Sequence, residues 1–133
     1  MTPELEALAR RAVACPRWRW LPGMLTLAGS RVTVVEDEGA YILGVPNGWG
    51  QQILPDDPGL PDLTDPATLG CLLALVREAW GDPGFYAAQS GTKIKGTDIF
   101  GWDTFGFLHG KSCKGMLYRS EAEALVAALE VGP

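Results

Sequence analysis

The chain has 133 residues, of which 47% are hydrophobic and 20% are charged, and its formal net charge is −5. This composition excludes intrinsic disorder and membrane-spanning segments, and it predicts a single globular domain over residues 1–133. A net acidic chain also lacks the overall positive field that attracts duplex nucleic acid, which excludes that class of partner on net charge.

The first predicted element is a helix at the N-terminus. Thr2 suits the N-cap, Pro3 suits the first helical position, and Pro16 ends the pattern. Apolar residues between them recur at helical spacing: Leu5, Leu8, Ala9 and Ala12. No basic segment followed by an apolar run precedes this helix, so no secretory signal is expected.

Short strands are predicted after the first helix. Three β-prone runs, 24–27, 31–36 and 40–45, are joined by connections too short for anything but antiparallel neighbours. A brief fourth strand is predicted at 51–54, inside a long loop rich in proline and glycine. The pattern is typical of an antiparallel meander.

The clearest helix lies in the middle of the chain. Asp65 suits its N-cap, Pro66 takes its first position, and the pattern extends to Trp80. Apolar residues surround it almost completely, which predicts burial on most sides. Gly70 is unfavourable inside a helix by about 1 kcal/mol relative to alanine, so a close approach of another element is expected there.

Aromatic strands and a last helix are predicted in the C-terminal half. Within 99–109 the aromatic residues change parity between Trp102 and Phe105, which predicts a bulge or turn at residues 103–104. A strand at 116–118 precedes a capping box that begins at Ser120, and Gly132 ends the final helix. The expected fold class is α+β: a mainly antiparallel sheet with an N-terminal, a central buried and a C-terminal helix.

The cysteines and the histidine favour no catalytic or metal chemistry. Cys15, Cys71 and Cys113 are an odd number at wide spacing, which indicates a reducing cytoplasm. His109 and Cys113 form the one close His/Cys pair, fewer ligands than a metal site needs. No cofactor and no catalytic residue is therefore predicted. The weakest alternative is an enzyme that acts on nucleotides or nucleic acid and uses Asp98, Asp103 or His109.

The lysines indicate a candidate ligand site. Every lysine lies between positions 93 and 114: Lys93, Lys95, Lys111 and Lys114. They fall in two segments bounded by glycines, 91–96 and 110–115, on either side of Trp102 and Phe105. Glycine-rich loops with lysines suit an anion and the aromatic rings can stack a base, which predicts a nucleotide-like ligand. The alternative is that these lysines only solubilise two hairpin loops and protect sheet edges.

A second candidate surface is the alternating segment Arg17, Trp18, Arg19 and Trp20. Arginine and tryptophan together can recognise a protein partner, but arginines that lie over rings within the fold give the same pattern. Acidic residues in the loops at 36–38 and 56–65 could also contact a host protein.

Three segments resemble a family of small uncharacterised phage and prophage proteins: 60–81, 18–24 and 121–129. The resemblance implies a phage setting and no activity or catalytic residues. The leading expectation is therefore a non-enzymatic phage protein in the host cytoplasm, a host-defence antagonist that sequesters an anionic small molecule such as a signalling nucleotide. The alternative is a protein-binding inhibitor or regulator of a host protein, and either function is compatible with a homo-oligomer.

Overall fold

The computed structural model describes residues 2–35, 41–44, 51–54, 59–106, 110–111 and 117–132. The elements in chain order are α1 (Pro3–Ala14), β1 (Arg31–Val35), β2 (Tyr41–Gly44), β3 (Gln51–Leu54), α2 (Pro66–Trp80), β4 (Tyr86–Ile94), β5 (Thr97–Gly106), β6 (Gly110–Lys111) and α3 (Glu121–Val131). The predicted α+β class is confirmed, with three helices and antiparallel strand pairs. These strands form two three-stranded sheets, β1-β2-β3 and β4-β5-β6.

The chain divides into two compact units, Met1–Cys71 and Leu72–Pro133. The first contains α1 and the sheet β1-β2-β3, and the second contains the sheet β4-β5-β6 and α3. The expectation of a single domain over residues 1–133 stays a prediction.

In the first unit, α1 begins and ends where its sequence predicts. The Thr2 hydroxyl accepts a hydrogen bond from the N–H of Leu5 at 3.2 Å, which satisfies one of the unpaired donors of the first turn. Its apolar stripe is buried at Leu8, Ala9 and Ala12. An exposed ion pair between Glu6 and Arg10 lies on the opposite side.

Two strands of the predicted meander are present as the antiparallel pair β1 and β2, with an irregularity in the pairing between Val32 and Val34. The third strand of this sheet is β3, the brief strand predicted inside the loop. The strand predicted at 24–27 is wrong. Leu25 and Thr26 make only isolated bridges, to Arg31 and Pro61. The N–H of Leu25 is donated instead to the Thr68 hydroxyl at 2.9 Å, so α2 takes the donor that a neighbouring strand would need.

Helix α2 is buried along one face rather than on most sides. Leu72, Leu75 and Val76 are fully buried, whereas Gly70 and Ala74 are exposed. The close approach expected at Gly70 is wrong, because no described atom outside the helix backbone lies within 4 Å of the position a Cβ would take. At Gly23 a Cβ would lie 3.7 Å from the Cys71 sulfur, which is an ordinary van der Waals distance.

In the second unit, α2 ends in a Schellman motif. Gly81 has a φ of +61°, the N–H of Asp82 is donated to the carbonyl of Arg77 at 3.0 Å, and the N–H of Gly81 to that of Glu78 at 3.2 Å. The chain therefore reverses within a few residues and enters β4.

Strands β4 and β5 form a long hairpin. Their pairing runs without a slip from Tyr86 opposite Phe105 to Ile94 opposite Thr97. Lys95 and Gly96 form the two-residue turn, and their φ values of 52° and 80° are those of a type I′ turn. The loop predicted at 91–96 is therefore wrong, because β4 continues to Ile94 and only two residues turn.

The bulge predicted at residues 103–104 is also wrong. Asp103 pairs with Ala88 and Thr104 pairs with Ala87 in the same continuous register. The aromatic residues of β5 fall on both faces because β5 is the central strand of its sheet and carries large side chains on each side.

Two further segments flank β5. Residues Gly110 and Lys111, predicted as the start of a loop, form β6 opposite Gly106 and Phe105, while 112–115 lie outside the described residues. Of the predicted strand at 116–118, Tyr118 forms an isolated bridge with Trp102 through backbone hydrogen bonds of 2.7 and 2.8 Å.

Helix α3, capped by Ser120 as predicted, contacts β4 and β5. None of the described helices is long and apolar enough to cross a membrane.

Candidate ligand-binding site

The hairpin separates the lysines that the sequence places close together. Lys93 lies in β4 and Lys95 in the turn, whereas Lys111 lies in β6 opposite Phe105, and Lys114 is outside the described residues. Phe105 is eight positions along β5 from Thr97, the residue after the turn. At about 3.3 Å per residue, the two groups of lysines are roughly 25 Å apart. They therefore belong to opposite ends of the hairpin.

The two aromatic residues of the predicted site lie on opposite faces of β5. Trp102 and Phe105 are three positions apart in a strand without a bulge, and alternate side chains of a strand point to opposite faces. Trp102 shares its face with Phe100, and Phe105 shares the other face with Tyr86. One ligand ring cannot stack on both.

An aromatic pair that the sequence reasoning missed lies at the Lys111 end. The rings of Tyr86 and Phe105 are stacked, with centroids 5.3 Å apart and planes 26° from parallel. Tyr86 is 48% exposed and Phe105 is half-buried. We call this pair the aromatic platform. The signal in the sequence is the Phe85–Tyr86 dipeptide at a strand start, where one ring faces inward and the next outward.

Buried contacts of Phe85 fix the position of the platform. Phe85 is fully buried and stacks on Trp80, with ring centroids 5.5 Å apart. Its carbonyl accepts a hydrogen bond from Nε of Arg77 at 2.7 Å. Trp80 is held in turn by its indole N–H, which is donated to the carbonyl of Ala128 at 2.9 Å. Because Phe85 is anchored inward, the strand alternation directs Tyr86 outward.

Lys111 occupies the strand position beside Phe105 of the platform. In register, Tyr86, Phe105 and Lys111 occupy neighbouring positions across β4, β5 and β6. Adjacent strands are about 4.8 Å apart, so the backbone of Lys111 lies one strand away from Phe105. An exposed ring face with an ammonium-bearing residue in the same row suits a ligand that is planar and anionic.

Asp103, a candidate acid or base of the enzyme alternative, is fully buried in β5. Its Oδ1 accepts the N–H of Thr104 at 2.8 Å. A substrate in solution cannot reach a carboxylate with no exposed surface. Asp98 is in β5 opposite Lys93, and His109 lies outside the described residues.

The Arg-Trp segment in the first unit splits into a core part and a surface part. Trp20 is only 4% exposed, and its ring meets that of Trp18 edge to face at 5.6 Å. Nε1 of Trp18 is buried and finds no acceptor within the described part of the chain. Arg17 and Arg19 are exposed. A partner would therefore contact the two arginines and not Trp20.

A structural ion pair in the first unit perturbs the pKa values of its own members and of a neighbouring thiol. The Arg31 guanidinium, together with hydrogen bonds from Thr68, lowers the pKa of Asp65 from 3.8 to about 2. Burial raises the pKa of the nearby Cys71 thiol. The contacts and burial of these residues explain both the lowered pKa of Asp65 and the raised pKa of Cys71, and no ligand is needed.

A shallow, open depression lies at the end of α2 in the second unit. Its lining residues are Ala74, Arg77, Glu78, Gly81, Asp82 and Pro83. Arginine and acidic side chains stand together there, so the depression has no net preference for an anion. Within the described ranges, no group of three or more His, Cys, Asp or Glu residues is arranged to hold a metal ion.

Comparison of the chain with protein-family models, with curated proteins and with solved structures gives no match.

Proposed function

We propose that this protein binds a small anionic molecule that contains a planar ring, of the nucleotide class, and that it does so without transforming it. The observation that carries the proposal is the half-exposed Tyr86 ring, stacked on Phe105 in the same row as Lys111. The ring supplies a stacking surface and the lysine supplies charge, which are the two components that single nucleotides require.

Each contact has an expected energetic contribution. Stacking of a base on an aromatic side chain contributes about 1–3 kcal/mol, and a lysine near a phosphate adds charge-assisted hydrogen bonding. The platform is already assembled without ligand because Phe85 and Trp80 fix its start. A preformed surface binds with a smaller loss of conformational entropy than a mobile one.

The biological role we propose is sequestration of a signalling nucleotide by a phage protein in the cytoplasm of its host. A binder without a catalytic step lowers the free concentration of its ligand, and this is sufficient to silence a pathway that depends on that ligand. The support for the setting is the resemblance of segments 60–81, 18–24 and 121–129 to small phage and prophage proteins.

Native mass spectrometry of the purified protein, mixed with a panel of cyclic and linear nucleotides, tests this function. We expect a mass increment of one nucleotide per chain and release of the same nucleotide, unchanged, on denaturation. Titration calorimetry of that nucleotide against Tyr86→Leu should show a dissociation constant raised at least about fivefold, the lower end of one lost stacking contact.

Phe100→Leu is the matched control, because Phe100 is also an exposed aromatic of this sheet but lies on the other face of β5. It should leave the dissociation constant unchanged. The proposal is wrong if no nucleotide of the panel adds mass, or if both variants weaken binding equally.

A second candidate function is inhibition or regulation of a host protein. The exposed Arg17 and Arg19, which flank the half-buried Trp18, favour it. A single host protein that co-purifies with the wild-type chain, and not with Arg17→Glu/Arg19→Glu, would support this function over nucleotide binding.

A further inference from the structure

Strand β4 forms an edge of its sheet. The strand order is β4-β5-β6, and no other strand pairs with β4 within the part of the chain that the structure describes. It is nine residues long, contains no proline and has Lys93 as its one charged residue. Natural edge strands are commonly protected by proline, charged side chains or short length, and of these β4 has a single charge, that of Lys93.

The turn determines which backbone groups of β4 point outward. In a two-residue hairpin the flanking residues, Ile94 and Thr97, form a hydrogen-bonded pair, and such pairs recur at every second position. Positions 87, 89, 91 and 93 therefore direct their N–H and C=O groups away from β5. Trp102, opposite Gln89, confirms this phase because its own N–H and C=O are bonded to Tyr118, away from β4.

An exposed aromatic residue accompanies this edge. Phe100 is 78% exposed, and its partner in β4 is Gly91, which has no side chain to cover it. No β4 side chain therefore stands beside the Phe100 ring at this paired position. A strand placed against β4 would add side chains at the next position of the same row.

We propose that two copies of this chain pair through their β4 strands, antiparallel about Ser90, to form one continuous six-stranded sheet. In this register position 87 of one copy pairs with 93 of the other, and 89 pairs with 91. All of these positions have outward backbone groups, so each pair can exchange two hydrogen bonds. The register uses the whole length of β4.

The sequence of β4 fits this symmetric pairing. Lys93 lies opposite Ala87 of the second copy, so no like charges meet. Tyr86 lies opposite Ile94, an aromatic residue against a β-branched one, which is a favourable cross-strand combination. On the other face, Phe100 and its partner Gly91 are followed across the interface by Gln89 and Trp102 of the second copy. Each Phe100 therefore has side chains of the second copy beyond Gly91.

The dimer would place both aromatic platforms on one face of the sheet. Tyr86 is eight residues from Ile94, which lies beside Tyr86 of the second copy, so the two tyrosines would be about 27 Å apart. Because Ile94 of the second copy lies beside Tyr86, a ligand stacked on the outer face of that ring would compete with the pairing, so the dimer is tested without nucleotide.

Native mass spectrometry and amide hydrogen exchange of the full chain test the dimer. We expect a dimer mass and, as protein concentration rises, slower exchange at the outward amides of positions 87, 89, 91 and 93. The inner amides, which are bonded to β5, should not depend on concentration. A chain that stays monomeric, with fast exchange at the outward amides at every concentration, would overturn the proposal.

Gln89→Pro removes one outward N–H from each copy without affecting the bonds to β5, and it should raise the dimer dissociation constant by at least about tenfold. Gln89→Ala keeps the N–H and loses only the side chain beside Gly91 of the second copy, so it is the control and should raise the dissociation constant much less than Gln89→Pro. Equal dimerisation of the two variants, with native exchange at the inner amides of both, would also contradict the proposed pairing.

Discussion

Arg31 and Asp65, at the start of β1 and the N-cap of α2, form a two-point ion pair. The two terminal nitrogens of the guanidinium meet the two carboxylate oxygens at 3.1 and 3.2 Å. The same carboxylate accepts hydrogen bonds from the N–H and hydroxyl of Thr68, both at 2.9 Å. One side chain therefore caps the helix and holds the strand in the first unit.

This pair predicts a loss of stability in acid. The pKa of Asp65 is about 2 in the folded chain against an ordinary 3.8, so the unfolded chain binds the proton more tightly. The stabilisation is complete above about pH 4 and is lost as the pH falls toward about 2. Asp65→Asn should lower the free energy of unfolding by about 1–2 kcal/mol at pH 7, allowing for the partly exposed Arg31. Chemical denaturation at several pH values measures both effects.

Glu6→Gln is the control for that experiment. It breaks the exposed Glu6–Arg10 pair, an i,i+4 contact of 2.6 Å on α1. Surface pairs of this kind contribute about 0.5 kcal/mol or less. If Glu6→Gln costs as much as Asp65→Asn at pH 7, general charge loss and not the two-point geometry explains the effect.

The turn at Lys95 predicts a stabilising substitution. Lys95 has a φ of +52°, a region that asparagine adopts more readily than lysine. Lys95→Asn should raise the free energy of unfolding by about 0.5 kcal/mol, and Gly96→Ala should lower it by about 1 kcal/mol because Gly96 has a φ of +80°. Thermal unfolding of the three proteins gives the comparison, and a neutral Gly96→Ala would contradict the type I′ turn.

Alanine substitutions at Gly101 and Gly70 should change the free energy of unfolding in opposite directions. A Cβ on Gly101 would lie 2.8 Å from Cβ of Leu117 and 2.9 Å from the carbonyl oxygen of Tyr118, so Gly101→Ala must displace the bridge to Trp102. We expect a loss of about 1–3 kcal/mol. Gly70→Ala has open space and a helical backbone, and should stabilise by up to about 1 kcal/mol. Denaturant unfolding distinguishes a gain from a loss.

Separation of the lysines predicts unequal effects on binding. Lys111 is beside the aromatic platform, whereas Lys95 is at the turn, roughly 25 Å away. Lys111→Ala should weaken binding of the nucleotide identified by native mass spectrometry about tenfold, and Lys111→Arg should restore much of it. Lys95→Ala should change the dissociation constant by less than about twofold. A larger effect at Lys95 would move the site to the hairpin turn.

The helices were predictable because their signals are local. Thr2, Asp65 and Ser120 each accept the backbone N–H three residues later, as their cap positions require. Strand β3 was likewise predicted at its observed bounds, Gln51–Leu54. Such elements depend on residues adjacent in the chain, so one sequence is sufficient to find them.

The hairpin was misread because its evidence is not local. Asparagine at the first turn position is the usual sequence signal of a type I′ turn, and here that position is Lys95. Gly91 is typical of a loop boundary, although it lies within β4. The aromatic platform was missed for the same reason: Tyr86 and Phe105 meet only because that turn sets their register. The Gly101 contact with Leu117 also joins positions that no sequence pattern connects.

The unbroken register of the hairpin limits how this protein can change length during evolution. One residue inserted between Tyr86 and Gly91 would exchange the faces of the residues before it, turning the buried Phe85 ring toward water and Tyr86 toward the core. Insertions or deletions of two residues in each strand, made next to the type I′ turn, keep every alternation intact. Relatives with longer or shorter hairpins should therefore differ by even numbers of residues per strand.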